Sequence, residues 1–171
     1  MNYVLLIHAS EAAFHDMRPD AKHAVLEQYG IFTKGLSATG KLGDCAALRP
    51  IATATTVRVR DGKRTVTDGP FGETREQLGG YYGVANMTEE EACAWAAKIP
   101  DAHGGSIEVR PLMEMPPLPA GKPAPAPVPI EAKTEYLLLI YNQEAMRRAL
   151  EAASLFERGY RRQEPSMVFT T

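Results

Sequence analysis

The first clear pattern in the chain is an unbroken apolar run at residues 3–7, YVLLI, which ends at His8. A short continuous run rich in strand formers predicts a buried central strand. Val25, Tyr29, Phe32 and Leu36 then recur at helical spacing. Pro19 stands at the opening and Gly40 at the stop, so a helix is predicted over 19–40, with Gly30 and Gly35 as its weak points. From residue 53 to 60 the period changes to two, with Val57 and Val59 on one face and Thr56, Arg58 and Arg60 on the other. Asp61-Gly62 follows, and residues 65–67 resume the alternation around Val66. Asp-Gly between two such runs predicts a hairpin, because a type I′ turn needs positive φ at both central residues. Residues 78–84, LGGYYGV, form a glycine-laden strand, in which Gly79, Gly80 and Gly83 mark a bulge or a close approach of backbones. Thr88 and Glu91 make a capping box for a helix whose apolar stripe is Ala92, Trp95, Ala96 and Ile99 and which Pro100 ends. Gly104-Gly105 leads into a last strand, 106–111, carrying Ile107 and Val109.

The order strand, helix, strands, helix, strand is that of an α+β domain on the ferredoxin-like split βαβ plan, two helices covering one face of an antiparallel sheet. The other face would be bare in a monomer. Val57, Val59 and the pair Tyr81 and Tyr82 would need cover there, so two sheets are expected to pack together in a homodimer.

The strongest shift in composition falls at 116–133, where seven of eighteen residues are proline and four are alanine. Such a stretch is a semi-rigid, extended linker. It separates a domain at 1–115 from a tail at 134–171. The tail opens on a repeat: EYLLLIYNQEA at 135–145 shares six of eleven residues with NYVLLIHASEA at 2–12. It reads as the first strand and helix of a second copy, with the rest missing.

Composition narrows the function classes. With a net charge of −2 and no dense cluster of Lys and Arg, the chain lacks the footprint of a nucleic-acid binder. Arg58, Arg60, Lys63 and Arg64 bracket the hairpin turn as a solvated tip. The two cysteines, Cys45 and Cys93, match no disulfide framework or metal spacing, and Cys93 is expected to pack beside Trp95. The apolar start is too short for a membrane span and has no basic flank, so a cytoplasmic protein is expected. No cofactor motif is present; the glycines of 79–83 lack the spacing of a phosphate loop.

Residues 52–84, ATATTVRVRDGKRTVTDGPFGETREQLGGYYGV, resemble the defining region of the DGPF group of YCII-related proteins, with Asp68-Gly69-Pro70-Phe71 as the namesake motif. Glu73 to Tyr81 extends the match, as do Ile99-Pro100 and Gly104 to Pro111, so the resemblance covers residues 1–115. It implies a ferredoxin-like protomer and a dimeric α/β barrel. Some relatives are associated with alternative sigma factors. Other YCII-like relatives are enzymes of small aromatic or chlorinated ring compounds that use a His–Asp pair, the His lying on the first helix. In this chain Tyr29 takes that position, and His23 lies six residues earlier on another helical face.

Two residues are candidates for catalysis. Asp68 ends a strand beside a Gly-Pro turn, where it can act as a general base or cap the turn. His8 ends the first strand, and the repeat carries Tyr141 at the matching place; both suit hydrogen bonding at a cleft rim. Tyr29 and Tyr81, with an apolar body and a polar tip, are candidates to line a pocket, and Glu73 and Arg110 complete the ligand-binding set. Two functions follow as expectations. One is binding or transformation of a small molecule near the DGPF motif. The other is a non-enzymatic accessory role with a sigma-factor-related or other protein partner, the tail being the presented element.

Overall fold

A computed structural model of the protein describes residues 1–113 and 137–141. The chain divides into two units, Met1–Met113 and Glu114–Thr171. The linker at 116–133 and the partial repeat lie outside the described residues, apart from 137–141.

The first unit runs β1 (Tyr3–Ala9), α1 (Glu11–Asp16), α2 (Pro19–Ala38), β2 (Leu42–Ala47), β3 (Thr55–Arg60), β4 (Lys63–Asp68), β5 (Gln77–Val84), α3 (Glu89–Ala96) and β6 (Ser106–Pro111). Four strands form an antiparallel sheet in the order β2-β5-β1-β6. Each helical crossover skips one strand position, and the skipped places interleave. This is the split βαβ order of an α+β domain.

Alternation along β1 decides where the core lies. Tyr3, Leu5 and Ile7 are buried, and Leu5 sits in register between Tyr82 on β5 and Val109 on β6. Phe32 and Leu36 from α2 and Ala92 and Ala96 from α3 close over this face, with Ile99 just beyond α3. The Phe32 ring meets Tyr82 edge-on at 5.0 Å and Trp95 at 5.8 Å. Burial of this stripe keeps α2 continuous through Gly30 and Gly35, since packing outweighs propensity. At the start of α3 the capping box is complete: Glu91 N–H donates to Thr88 Oγ1 at 3.2 Å, and Thr88 N–H to Glu91 Oε2 at 3.1 Å.

Three features differ from the sequence expectation. First, the strand beside β5 is β2, LGDCAA, which alternation does not reveal because most of it is exposed. It reaches β5 through glycine: a Cβ at Gly80 would lie 2.7 Å from the Ala46 carbonyl oxygen. Second, the hairpin forms as expected, with Asp61 at φ 50° and Gly62 at φ 73°, but β3 and β4 are a separate two-stranded sheet. Val57 and Val59 therefore do not lie on a bare face of the main sheet. Tyr82 does not either, being part of the core, so of that expected set only Tyr81 belongs to the uncovered side. Third, Cys93 is exposed rather than packed, and α1 appears where none was expected, its first turn held by Ser10 Oγ accepting from Ala13 N–H at 3.2 Å.

Candidate functional site

Side chains that alternate with the core positions project from the face that the helices leave open, and cross-strand pairing sorts them into rows. Ala46, Tyr81, Leu6 and Glu108 make one row. Leu78, His8 and Ser106 make the next toward the end of β1, and Gly83, Val4 and Arg110 the one on the other side. Of the residues singled out in the sequence, His8, Tyr81 and Arg110 thus share a face. Glu108 lies between them and was missed. The alternation of Ile107 and Val109 contained the signal, because it sends Glu108 and Arg110 to the opposite side.

The His8 end is shaped by two backbone devices. Ile7 pairs with Gly80 while His8 pairs with Leu78, so Gly79 is an extra residue in β5, and a bulge of this kind re-aims the side chains beside it. Across β1, β6 begins so close to the His8 carbonyl that any Cβ at Gly105 would collide with it. One wall is the turn before β5. There Gln77 Oε1 accepts from Glu11 N–H at 3.1 Å and Gln77 Nε2 donates to the Thr74 carbonyl at 2.5 Å, which fixes 74–77 against the end of β1.

These elements enclose an open cleft of about 430 Å³ lined by His8, Thr74, Arg75, Glu76, Ser106, Ile107 and Glu108. His8 Nε2 is 3.5 Å from Glu108 Oε2, at ion-pair distance, but it is buried and makes no hydrogen bond among the described residues. The other Glu108 oxygen lies 3.7 Å from Arg110 Nε, and Ser106 Oγ donates to Glu76 Oε2 at 2.7 Å. In the neighbouring row Tyr81 Oη donates to Asp44 Oδ2 at 2.5 Å. The cleft therefore offers an imidazole nitrogen, two carboxylates and the guanidinium of Arg75 to a small polar molecule.

The remaining sequence candidates lie elsewhere. Tyr29 sits on α2, in the helix layer packed against the core, where its hydroxyl donates to Asp101 Oδ2 at 2.9 Å. Burial first, and then the charge of Asp101, push the Tyr29 hydroxyl well above its ordinary range. A phenol held protonated in this way is a donor and does not replace a basic imidazole. Asp68 is exposed at the end of β4, paired through the backbone with Thr55. Among the described residues its carboxylate caps no turn; the turn instead holds through Gly69 N–H donating to the Ala54 carbonyl at 2.7 Å. Glu73 is exposed, one residue before the cleft wall. Among the described residues no group of three His, Cys, Asp or Glu is placed to hold a metal, and no helix is long and apolar enough to cross a membrane.

Comparison with known proteins places this geometry in a family. The model of the YCII-related domain matches residues 1–116. An uncharacterized protein of Rhizobium meliloti (strain 1021) is 34% identical over 114 residues, which cover 66% of this chain and 92% of that protein. The chain belongs to the YCII-related family.

Proposed function

We propose that the YCII-related domain binds a small polar molecule in the cleft beside His8, with His8 as the group that accepts or supplies a proton there. One observation carries this reading: a ring nitrogen that is buried, lines a cleft and has no hydrogen-bond partner among the described residues. Leaving such an atom unpaired costs about 1–3 kcal/mol, which a ligand hydroxyl or carboxyl can recover by bonding to it. Glu108 Oε2 lies 3.5 Å from the same nitrogen and Arg110 Nε 3.7 Å from the other Glu108 oxygen, so a carboxylate and a guanidinium stand beside the point where the ligand would bind. Arg75 supplies positive charge for an anionic group on the ligand.

A library of small carboxylates and phenols, screened by ligand-observed NMR, tests the reading. Binders should be lost in His8→Gln and kept in Tyr29→Phe. Equal binding by both variants would place the ligand elsewhere.

A further inference from the structure

The helix layer holds a second cleft, and its chemistry is the reverse of the one at His8. It measures about 400 Å³ and lies along α2, between that helix, the end of α3 and the segment 100–103. Phe32, Trp95 and Pro100 line it, and Ile31 borders it although it is 67% exposed. Lys98 brings a positive charge, Gln28 and His103 bring hydrogen-bond donors, and no acidic side chain among the described residues lines the cleft. The Lys98 Nζ stands 4.2 Å from the centre of the Trp95 ring and makes no ion pair among the described residues. An apolar cleft with a few polar groups at its edge is the usual form of a small-molecule site, and the charge here calls for an anion.

Gly35 keeps the cleft open. A glycine inside a helix costs stability relative to alanine. A Cβ at Gly35 would meet only Trp95 Cη2, at 4.0 Å, an ordinary contact, so close packing does not require the glycine. A larger side chain at this position would fill the space between α2 and Trp95. Gln28, Ile31 and Gly35 follow one another along one face of α2, and seven residues of helix rise about 10 Å, so the groove is elongated. An extended alkyl chain fits it better than a flat ring, because the Lys98 ammonium already covers the indole where a ring would stack. We propose that this cleft binds a free amphiphilic anion, a medium-chain carboxylate, with the alkyl chain along Ile31 and Gly35 and the head group on Lys98. Burial of the chain against Ile31, Phe32 and Pro100 supplies the attraction, and a charge-assisted hydrogen bond to the ammonium selects the anion. Such a ligand is unlike the small polar molecule of the His8 cleft, and the two sites are independent.

Trp95 is the single tryptophan of the chain, so its fluorescence reports on this cleft. Octanoate, kept below its micellar concentration, should change the emission of the full chain saturably, and isothermal titration calorimetry should give the same affinity. Octanol, with as many carbons and no charge, should bind about tenfold more weakly. Lys98→Gln should weaken octanoate by a similar factor and leave octanol as it was. Lys34→Gln, the same loss of charge at an exposed position of α2 outside the cleft, should change neither. Gly35→Leu should abolish binding while the chain stays folded, since the position is exposed and leucine is the better helix former. The proposal is overturned by the absence of a saturable signal, by octanol binding as tightly as octanoate, by equal effects of the two lysine variants, or by retained binding in Gly35→Leu. An octanoate affinity that falls as protein concentration rises would also overturn it, since another copy of the chain would then fill the groove.

Discussion

Two rings with polar tips stand beside carboxylates in this domain, Tyr29 with Asp101 in the helix layer and His8 with Glu108 on the open face of the sheet. The first pair is closed. Its hydroxyl donates at 2.9 Å, and burial with the Asp101 charge raises the phenol so that it stays protonated. The second pair is open. At 3.5 Å, and without a hydrogen bond among the described residues, the imidazole nitrogen stands next to a carboxylate and borders a cleft. Similar chemistry thus has opposite consequences: a satisfied pair holds structure, while an unsatisfied one keeps binding capacity in reserve. The comparison also bears on the helix position that carries His in enzyme-like relatives. Tyr29 there is committed to Asp101, so the proposed site draws its imidazole from β1 instead of from the helix.

Substitutions separate the two pairs. The largest effect is expected from Gly105→Ala, whose methyl group would collide with the His8 carbonyl and move β6 away from β1. A loss of about 2–3 kcal/mol in denaturant unfolding should accompany loss of ligand binding, because strand pairing and cleft share this contact. Tyr29→Phe comes next. It removes the donor from Asp101, costing about 1–2 kcal/mol, and should leave ligand binding as it was. His8→Gln reverses that pattern, with stability within about 0.5 kcal/mol of wild type and binding abolished. A Tyr29→Phe variant that lost binding, or a His8→Gln variant that lost stability as heavily as Gly105→Ala, would erase the distinction.

The smallest effect concerns pH. Glu91 is held below the ordinary carboxylate range, first by the Thr88 N–H and then by Lys41, whose Nζ lies 3.1 Å away. A depressed folded-state value contributes stability that is present above the unfolded pKa and is lost as pH falls through the folded one. Thermal unfolding followed from neutral to acid pH should therefore drop more steeply for the wild type than for Glu91→Gln, which keeps an acceptor in the capping box but cannot titrate.

The parts of this architecture that are readable in the chain are those where local chemistry and burial agree. The central strand β1, the Asp61-Gly62 turn, the Thr88–Glu91 box and the Ala92-to-Ile99 stripe all follow from their residues, and so does the α+β order of elements. β2 is not readable, because LGDCAA is an edge strand that buries little and owes its place to glycines on β5, far away in sequence. The hairpin is legible as a hairpin, but its separation from the main sheet is not, since period-two alternation fixes the faces of a strand and says nothing of which sheet it joins. For the site, His8, Tyr81 and Arg110 fall on one face as strand position dictates. Glu108 needed the register between β1 and β6, and the distance from Tyr29 to Asp101 needed the packing of α2.

The central claim is the position of the binding site, and chemical-shift mapping tests it most directly. On titration of ¹⁵N-labelled protein with a bound small carboxylate or phenol, the largest amide shifts should fall at His8, at 74–77 and at 106–108. Shifts centred instead on Gln28, Ile31, Trp95 and His103, which line a second cleft of about 400 Å³ in the helix layer, would contradict the account.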